Sequence, residues 1–177
     1  DALEAAGLEG APETWDEFFD VYLPALAEAN PDMVPFAYGT GSWWQQSPVW
    51  SSGAMVNDVE NFEIDFANPA VIDWFAKMQK ARQYDLVYVP TSADGGVGAF
   101  FGSGLAAMTI DSTGLIGRID NISEGAFTAE TGFLPSGPGG RWVPSGGNGL
   151  SIIAGKDPAV TDAAWEFIKY LQAPEQW

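Results

Sequence analysis

The 177-residue chain contains no cysteine and no histidine. Without cysteine there are no disulfides and no thiolate chemistry. Without histidine the usual general base near neutral pH and the commonest metal ligand are both missing. Basic residues are scarce, with 7 Lys and Arg against 24 Asp and Glu and a formal net charge of −17. A surface of that sign repels nucleic acid and anionic lipid, so neither is expected as a partner. It suits an exported or salt-adapted protein. No apolar run reaches the roughly 18 residues that a membrane-spanning helix needs. There is also no initiating Met and no signal peptide. "DALEAAGLEG" opens the chain and "APEQW" closes it inside a helical pattern. A piece of a longer chain is therefore expected, with any targeting signal outside it.

What is abundant is apolar and aromatic. Hydrophobic residues make up 46%, enough to build a core in one domain. Eight residues are Trp. Thr14-Trp15-Asp16-Glu17 fits a capping box, and Trp15, Phe18, Phe19, Tyr22, Leu23 and Leu26 follow at helical spacing. Pro24 should kink or split that helix, and Asn30-Pro31 should end it. Asn68-Pro69 and Asp157-Pro158 open two more helices, each with a capping side chain and a first-turn proline. Their expected buried stripes are Val71, Ile72, Trp74, Phe75 and Met78, and Ala164, Trp165, Phe167, Ile168 and Leu171. Shorter helices are predicted over 96–101 and 113–119. Strands are predicted over 34–37, 106–110, 131–134 and 150–153, and loops over 39–54, 88–95 and 136–149. Helices alternating with isolated strands indicate an α/β fold, a small sheet covered by several helices.

The motifs of common chemistries fail. Gly155-Lys156 is followed by Asp157, which breaks the phosphate-loop pattern. Trp44 and Ile152 stand where a dinucleotide fingerprint needs its third glycine. Ile122 occupies a ligand position in the one stretch resembling a calcium loop. A serine nucleophile would lack a base. Glu60, Glu63 and Asp65 could form the carboxylate pair of a glycosidase, but any stretch of so acidic a chain offers such pairs, and a solvated surface explains them. No metal or cofactor is expected.

A binding constellation remains. Trp43, Trp44, Trp50 and Trp142 fall in the predicted loops. Indole faces pack on the C–H faces of a sugar ring and offer an edge N–H. The competing reading is that these rings plug their loops into the core. Asp111-Ser112-Thr113-Gly114 follows a predicted strand and starts a helix, where free N–H groups point beyond the strand end. Gly146 and Gly147 would let a ligand approach the main chain.

"APETWDEFFDVYLPALAEAN", "FFGSGLAAMTIDSTGLIG" and "FLPSGPGGRWVPSGGNGLSIIAGKDPAVTDAAWEFIKYLQAPEQW" together resemble the family 1 extracellular solute-binding proteins of ABC importers. Five motifs follow in the order of that family: P-x-T-W-[DE]-E-[FL], F-x-x-G-x-A-A-M, P-x-P-x-G-P-G-G (with Phe133 at its first proline), a Gly-Gly turn and A-A-W-E-F-[IL]-K-[FY]-L. The resemblance implies a receptor of two α/β lobes, a type II-like periplasmic-binding-protein fold, that closes on a solute and presents it to a membrane permease. Residues 1–177 would be most of the C-terminal lobe, with the N-terminal lobe and the final helices absent. The whole protein would be a monomer, periplasmic or extracellular, with a lipoprotein anchor compatible. No bond would be broken. Carried over to this chain, the resemblance points to Trp43 or Trp44, Ser112 or Thr113, and Gly146 or Gly147; with Asp111 and Trp142 from the reading of the residues themselves, the expected ligand-binding residues are Trp43, Trp44, Asp111, Ser112, Thr113, Trp142, Gly146 and Gly147. The resemblance extends to receptors for sugars and to the branch for glycerol-3-phosphate and glycerophosphodiesters. Asp111 disfavours a phosphate and suits sugar hydroxyls, which donate to carboxylates.

Overall fold

The computed structural model describes residues 1–58, 60–61 and 63–176. It comprises two compact units, Asp1–Pro144 and Ser145–Trp177. The first is built on a three-stranded parallel sheet in the order β4-β1-β5, with β1 at Val34–Ala37, β4 at Val87–Tyr88 and β5 at Ala106–Thr109. Phe36 of β1 stands opposite Val87 on one side and Met108 on the other. Neighbouring residues of a strand point to opposite faces. Phe36 accordingly joins a core of Trp15, Phe18, Leu23, Tyr38, Trp74, Met78 and Val87, while Ala37 joins Val97 and Ala106. Both faces are covered, as a short parallel sheet requires.

The first face is covered from the N-terminal side. After a short α1 (Ala2–Ala5), α2 (Trp15–Glu17) runs through a π turn at Phe18–Tyr22 into α3 (Leu23–Ala29). Pro24 therefore neither breaks the run nor ends it: the wider turn before it absorbs the residue that cannot donate. The Thr14 hydroxyl accepts from the Glu17 N–H at 3.1 Å, as expected of the cap. Glu17 reaches one residue further back than a capping box does, accepting from the Glu13 N–H at 2.7 Å. α5 (Pro69–Gln83) completes this face, capped by Asn68 on the Ala70 N–H. Val71, Trp74 and Met78 are buried, but Ile72 and Phe75 of the expected stripe are exposed. Two-residue strands β2 (Asn57–Asp58) and β3 (Glu63–Ile64) pair antiparallel ahead of α5. α6 (Val97–Gly102) and α7 (Ile116–Ser123, entered through a 3₁₀ turn at Thr113–Leu115) account for the two shorter predicted helices.

Several expectations are corrected. The stretch predicted as a loop over 39–54 contains a helix, α4 (Ser42–Ser51). Its Pro48 and three Trp hide it from a propensity reading, and packing rather than local preference stabilises it. β4 forms at the start of the predicted loop 88–95, which also holds a 3₁₀ turn at Ser92–Asp94. Residues 131–134 are not a strand, because the chain there finds no ladder partner among the described residues. Pairing begins just beyond, where Ser136 and Thr14 form a parallel bridge.

The second unit holds α8 (Pro158–Leu171), capped by Asp157 on the Ala159 N–H at 2.9 Å. Residues 150–153 are not a strand there either. Trp165 and Phe167, expected to be buried, are exposed, whereas Ala164, Ile168 and Leu171 are half-buried. One helix without a second layer inside its own unit has nothing against which to close its stripe.

Candidate functional site

The three parallel strands end on the same rim of the sheet, and the segments leaving β1 and β5 carry most of the candidate residues. From β1 the chain passes Tyr38 and Gly39 and enters α4 at Ser42. The Trp44 ring folds back over this turn. A Cβ on Gly39 would lie 2.5 Å from it, and one on Gly41 2.7 Å, so both positions need glycine for the approach. The indole N–H of Trp44 donates to the Ile110 carbonyl at 2.9 Å. That one bond ties the exit of β1 to the exit of β5, one residue before Asp111.

Pro48 lies inside α4 and has no N–H for the carbonyl one turn back, that of Trp44. The Tyr38 hydroxyl fills the gap, donating to the Trp44 carbonyl at 2.8 Å. Gln45 completes the network: its Oε1 accepts from the Trp74 indole at 3.0 Å and its amide donates to the Gly39 carbonyl at 3.3 Å. Burial pushes the Tyr38 hydroxyl well above the usual tyrosine range. Trp44 is thus a structural anchor, half-buried against the core with its edge N–H occupied. Trp43 stands edge-to-face on it, ring centroids 5.5 Å apart at 89°, and is itself half-buried.

Across the rim, Asp111 is half-buried while Ser112 and Thr113 are exposed. Oδ1 of Asp111 accepts from the Ser112 N–H at 2.8 Å. Ser112 caps the 3₁₀ turn, its hydroxyl oxygen accepting from the Gly114 N–H at 3.2 Å. Burial raises the pKa of Asp111, partly offset by the Ser112 N–H and the charge of Arg118. The loop cation Arg141 pairs with Glu13 at 2.7 Å and lies 5.4 Å above the Phe133 ring.

Trp142 is 44% exposed and lies against α4 rather than at the β5 exit. The Ser47 hydroxyl donates to its carbonyl at 2.6 Å, one helical turn from Trp43, and its ring stands 6.0 Å from that of Trp50. Its indole N–H donates to the Gly139 carbonyl at 2.9 Å. Trp43, Trp44, Asp111, Ser112 and Thr113 are therefore gathered by the Trp44–Ile110 bond, and Trp142 continues the same aromatic edge along α4. Gly146 and Gly147 lie in the second unit, exposed and outside regular structure. Among the described residues, no cluster of three Asp or Glu side chains could hold a metal. Glu60 and Asp65 of the glycosidase alternative are exposed, and Asp65 accepts from the Ala67 N–H.

Sequence reasoning missed Tyr38, Gln45 and Ser47. A lone Gln or Ser in an aromatic-rich stretch carries no motif. The signal that was available is Pro48, whose missing N–H asks for a substitute donor to Trp44.

The family described as bacterial extracellular solute-binding protein matches residues 1–176. Over 195 aligned residues the chain is 27% identical to the sn-glycerol-3-phosphate-binding periplasmic protein UgpB of Pectobacterium atrosepticum, covering 99% of this chain and 41% of that protein. Among solved structures it is similar to the GacH receptor of Streptomyces glaucescens, determined unliganded and with acarbose or an acarbose homolog (TM-score 0.75, 20% identity, 99% of this chain and 45% of that one). It is also similar to UgpB from Mycobacterium tuberculosis in complex with glycerophosphocholine (TM-score 0.72, 22% identity, 99% and 45%). At these identities the structural likeness speaks for the fold alone. The chain spans less than half the length of these relatives.

Proposed function

Because the chain belongs to the family of bacterial extracellular solute-binding proteins, we propose that it is most of the C-terminal lobe of an ABC-importer receptor, binding a neutral carbohydrate and delivering it to a membrane permease. The observation that carries this reading is the Trp44–Ile110 hydrogen bond. It sets an indole pair beside the Asp111-Ser112-Thr113 turn, at the strand ends where ligands of open α/β sheets sit. Trp43 and Trp142 stack on sugar C–H faces. Asp111 accepts from sugar hydroxyls, and Ser112 and Thr113 offer theirs. The reaction class is binding and release, in the periplasm or outside the cell.

The second reading is glycerol-3-phosphate or a glycerophosphodiester, favoured by what the two UgpB relatives are named or solved for binding. Charge argues against it here. Asp111 would face the phosphate, and Arg141 is engaged by Glu13. A thermal-shift screen against glucose, maltose, glycerol-3-phosphate and glycerophosphocholine separates the two, since a ligand preferring the native state raises the melting temperature. A rise with a sugar that Trp43→Ala abolishes supports the carbohydrate reading. A rise only with the phosphorylated ligands replaces it with the second. Sugar recovered unchanged after long incubation speaks against a glycosidase.

A further inference from the structure

Asn148-Gly149 is the one asparagine–glycine pair of the chain. Every other asparagine precedes either proline, which has no N–H, or a residue whose side chain crowds its own nitrogen. The pair lies in the second unit, exposed and outside regular structure. Neither the Gly149 N–H nor the Asn148 amide has a hydrogen-bond partner among the described residues. Nothing stands within 4 Å of where a Cβ on Gly149 would lie. A main-chain nitrogen without an acceptor, on a residue without a Cβ, can turn onto the preceding side chain at little cost. A nitrogen committed to a helix or a ladder cannot, because its N–H is already bonded.

That freedom permits a reaction of the chain with itself. The Gly149 nitrogen gives up its proton and attacks the carbonyl carbon of the Asn148 side chain. A C–N bond forms, the bond to the side-chain amide nitrogen breaks, and ammonia leaves with the proton. Water then opens the cyclic imide at either carbonyl. One opening gives aspartate, and the other gives isoaspartate, which carries an extra main-chain carbon. Either product adds one unit to the net charge of −17, beside Gly147. Asp94-Gly95 is the matching aspartate–glycine pair, and its geometry is the opposite. The Gly95 N–H donates to the Ser92 carbonyl at 3.2 Å. Oδ2 of Asp94 accepts from the Thr91 N–H at 2.7 Å and from the Thr91 hydroxyl at 2.8 Å. These bonds hold the Asp94 carboxyl below the usual carboxylate range, whereas cyclisation proceeds from the neutral acid, which can lose water. We propose that Asn148 is a site of spontaneous deamidation in the folded chain, and that Asp94 is held against the corresponding isomerisation.

The test is a timed incubation of the chain in mildly alkaline buffer, folded and in guanidinium chloride, followed by trypsin digestion and mass spectrometry. Cleavage after Arg141 and Lys156 releases residues 142–156, which contain one asparagine and no glutamine, aspartate or glutamate. The mass gain of replacing –NH2 by –OH in that fragment therefore reports Asn148 alone. It should appear in the folded chain at the same rate as in the denatured one. Asn148→Ser should lose it entirely. Gly149→Ala should slow it several-fold, since a Cβ restricts the attacking backbone, and the open space around Gly149 lets the fold accept the change. Isoaspartate at Asp94, read from where stepwise degradation of fragment 83–118 halts, should accumulate only in guanidinium chloride. A 142–156 fragment that reacts when denatured but stays unchanged in the folded chain overturns the proposal for Asn148, and so does a mass gain that persists in Asn148→Ser. Isoaspartate forming at Asp94 as fast in the folded chain as in the denatured one overturns the proposal for Asp94.

Discussion

The hydroxyl of Tyr38 does work that Pro48 has left undone, bonding the Trp44 carbonyl and, at 3.2 Å, the Gln45 side chain. Tyr38→Phe removes the donor and leaves a buried acceptor alone. It should lower unfolding free energy by about 1–3 kcal/mol in urea titrations. The same hydroxyl makes stability depend on alkaline pH. Its folded-state pKa lies above the usual tyrosine value of 10.0 because burial disfavours the phenolate. The unfolded chain releases this proton first, so the contribution is intact below about pH 10 and is lost as pH climbs beyond it. Ultraviolet titration should show Tyr38 ionising above the usual tyrosine value, together with unfolding. Asp111 gives the opposite edge of the profile. Its raised pKa means that it protonates on acidification earlier than an ordinary carboxylate. If its charged form accepts sugar hydroxyls, affinity falls as pH drops through that raised value. Asp111→Asn should flatten the pH dependence of tryptophan-fluorescence titrations.

Among the elements, α2 and α4 illustrate two kinds of legibility. The start of α2 was readable because capping is local: Thr14 serves an N–H three residues on. Thr14→Ala should therefore destabilise by about 1 kcal/mol, measured by thermal or urea unfolding. α4 was not readable. Its sequence, SWWQQSPVWS, has a mid-helix proline and no side-chain cap, and what holds it comes from elsewhere in the chain: Tyr38 on Trp44, Trp44 on Ile110 and Ser47 on Trp142. Gly39→Ala probes that dependence directly. Its Cβ would fall 2.5 Å from the Trp44 ring, and overpacking of this kind costs about 1–3 kcal/mol. The melting temperature should drop and, on the proposed reading of the rim as the ligand site, binding there should weaken with it as Trp44 is displaced. A Gly39→Ala chain with unaltered stability would show that the ring moves freely and anchors nothing.

For the molecule as a whole, the dominant field is the charge of −17. Like charges carried on one chain repel, and salt screens them within about 10 Å at 0.1 M. Raising sodium chloride from low to moderate concentration should raise the melting temperature, and sodium sulfate at equal ionic strength should do so further. The chain also spans less than half of its relatives. On the proposed reading, with the other lobe closing over the same rim, a protein carrying both lobes should bind its solute orders of magnitude more tightly than this chain alone. Equal affinities, measured by calorimetry, would contradict a cleft shared between lobes.

The α/β class, the caps at Thr14, Asn68 and Asp157, the central strand and the family motifs were all present in the order of residues, because each depends on neighbours within a few positions. The anchoring of Trp44 against the core and the exposure of Trp142 were not, since either ring could have faced core or solvent on spacing alone. The difference is made by partners far along the chain: a carbonyl 66 residues away for Trp44, and for Trp142 a helix whose Ser47 holds its backbone from 95 residues away. Such contacts exist only once the sheet has brought the strand ends together, and no local pattern encodes which ring they will claim.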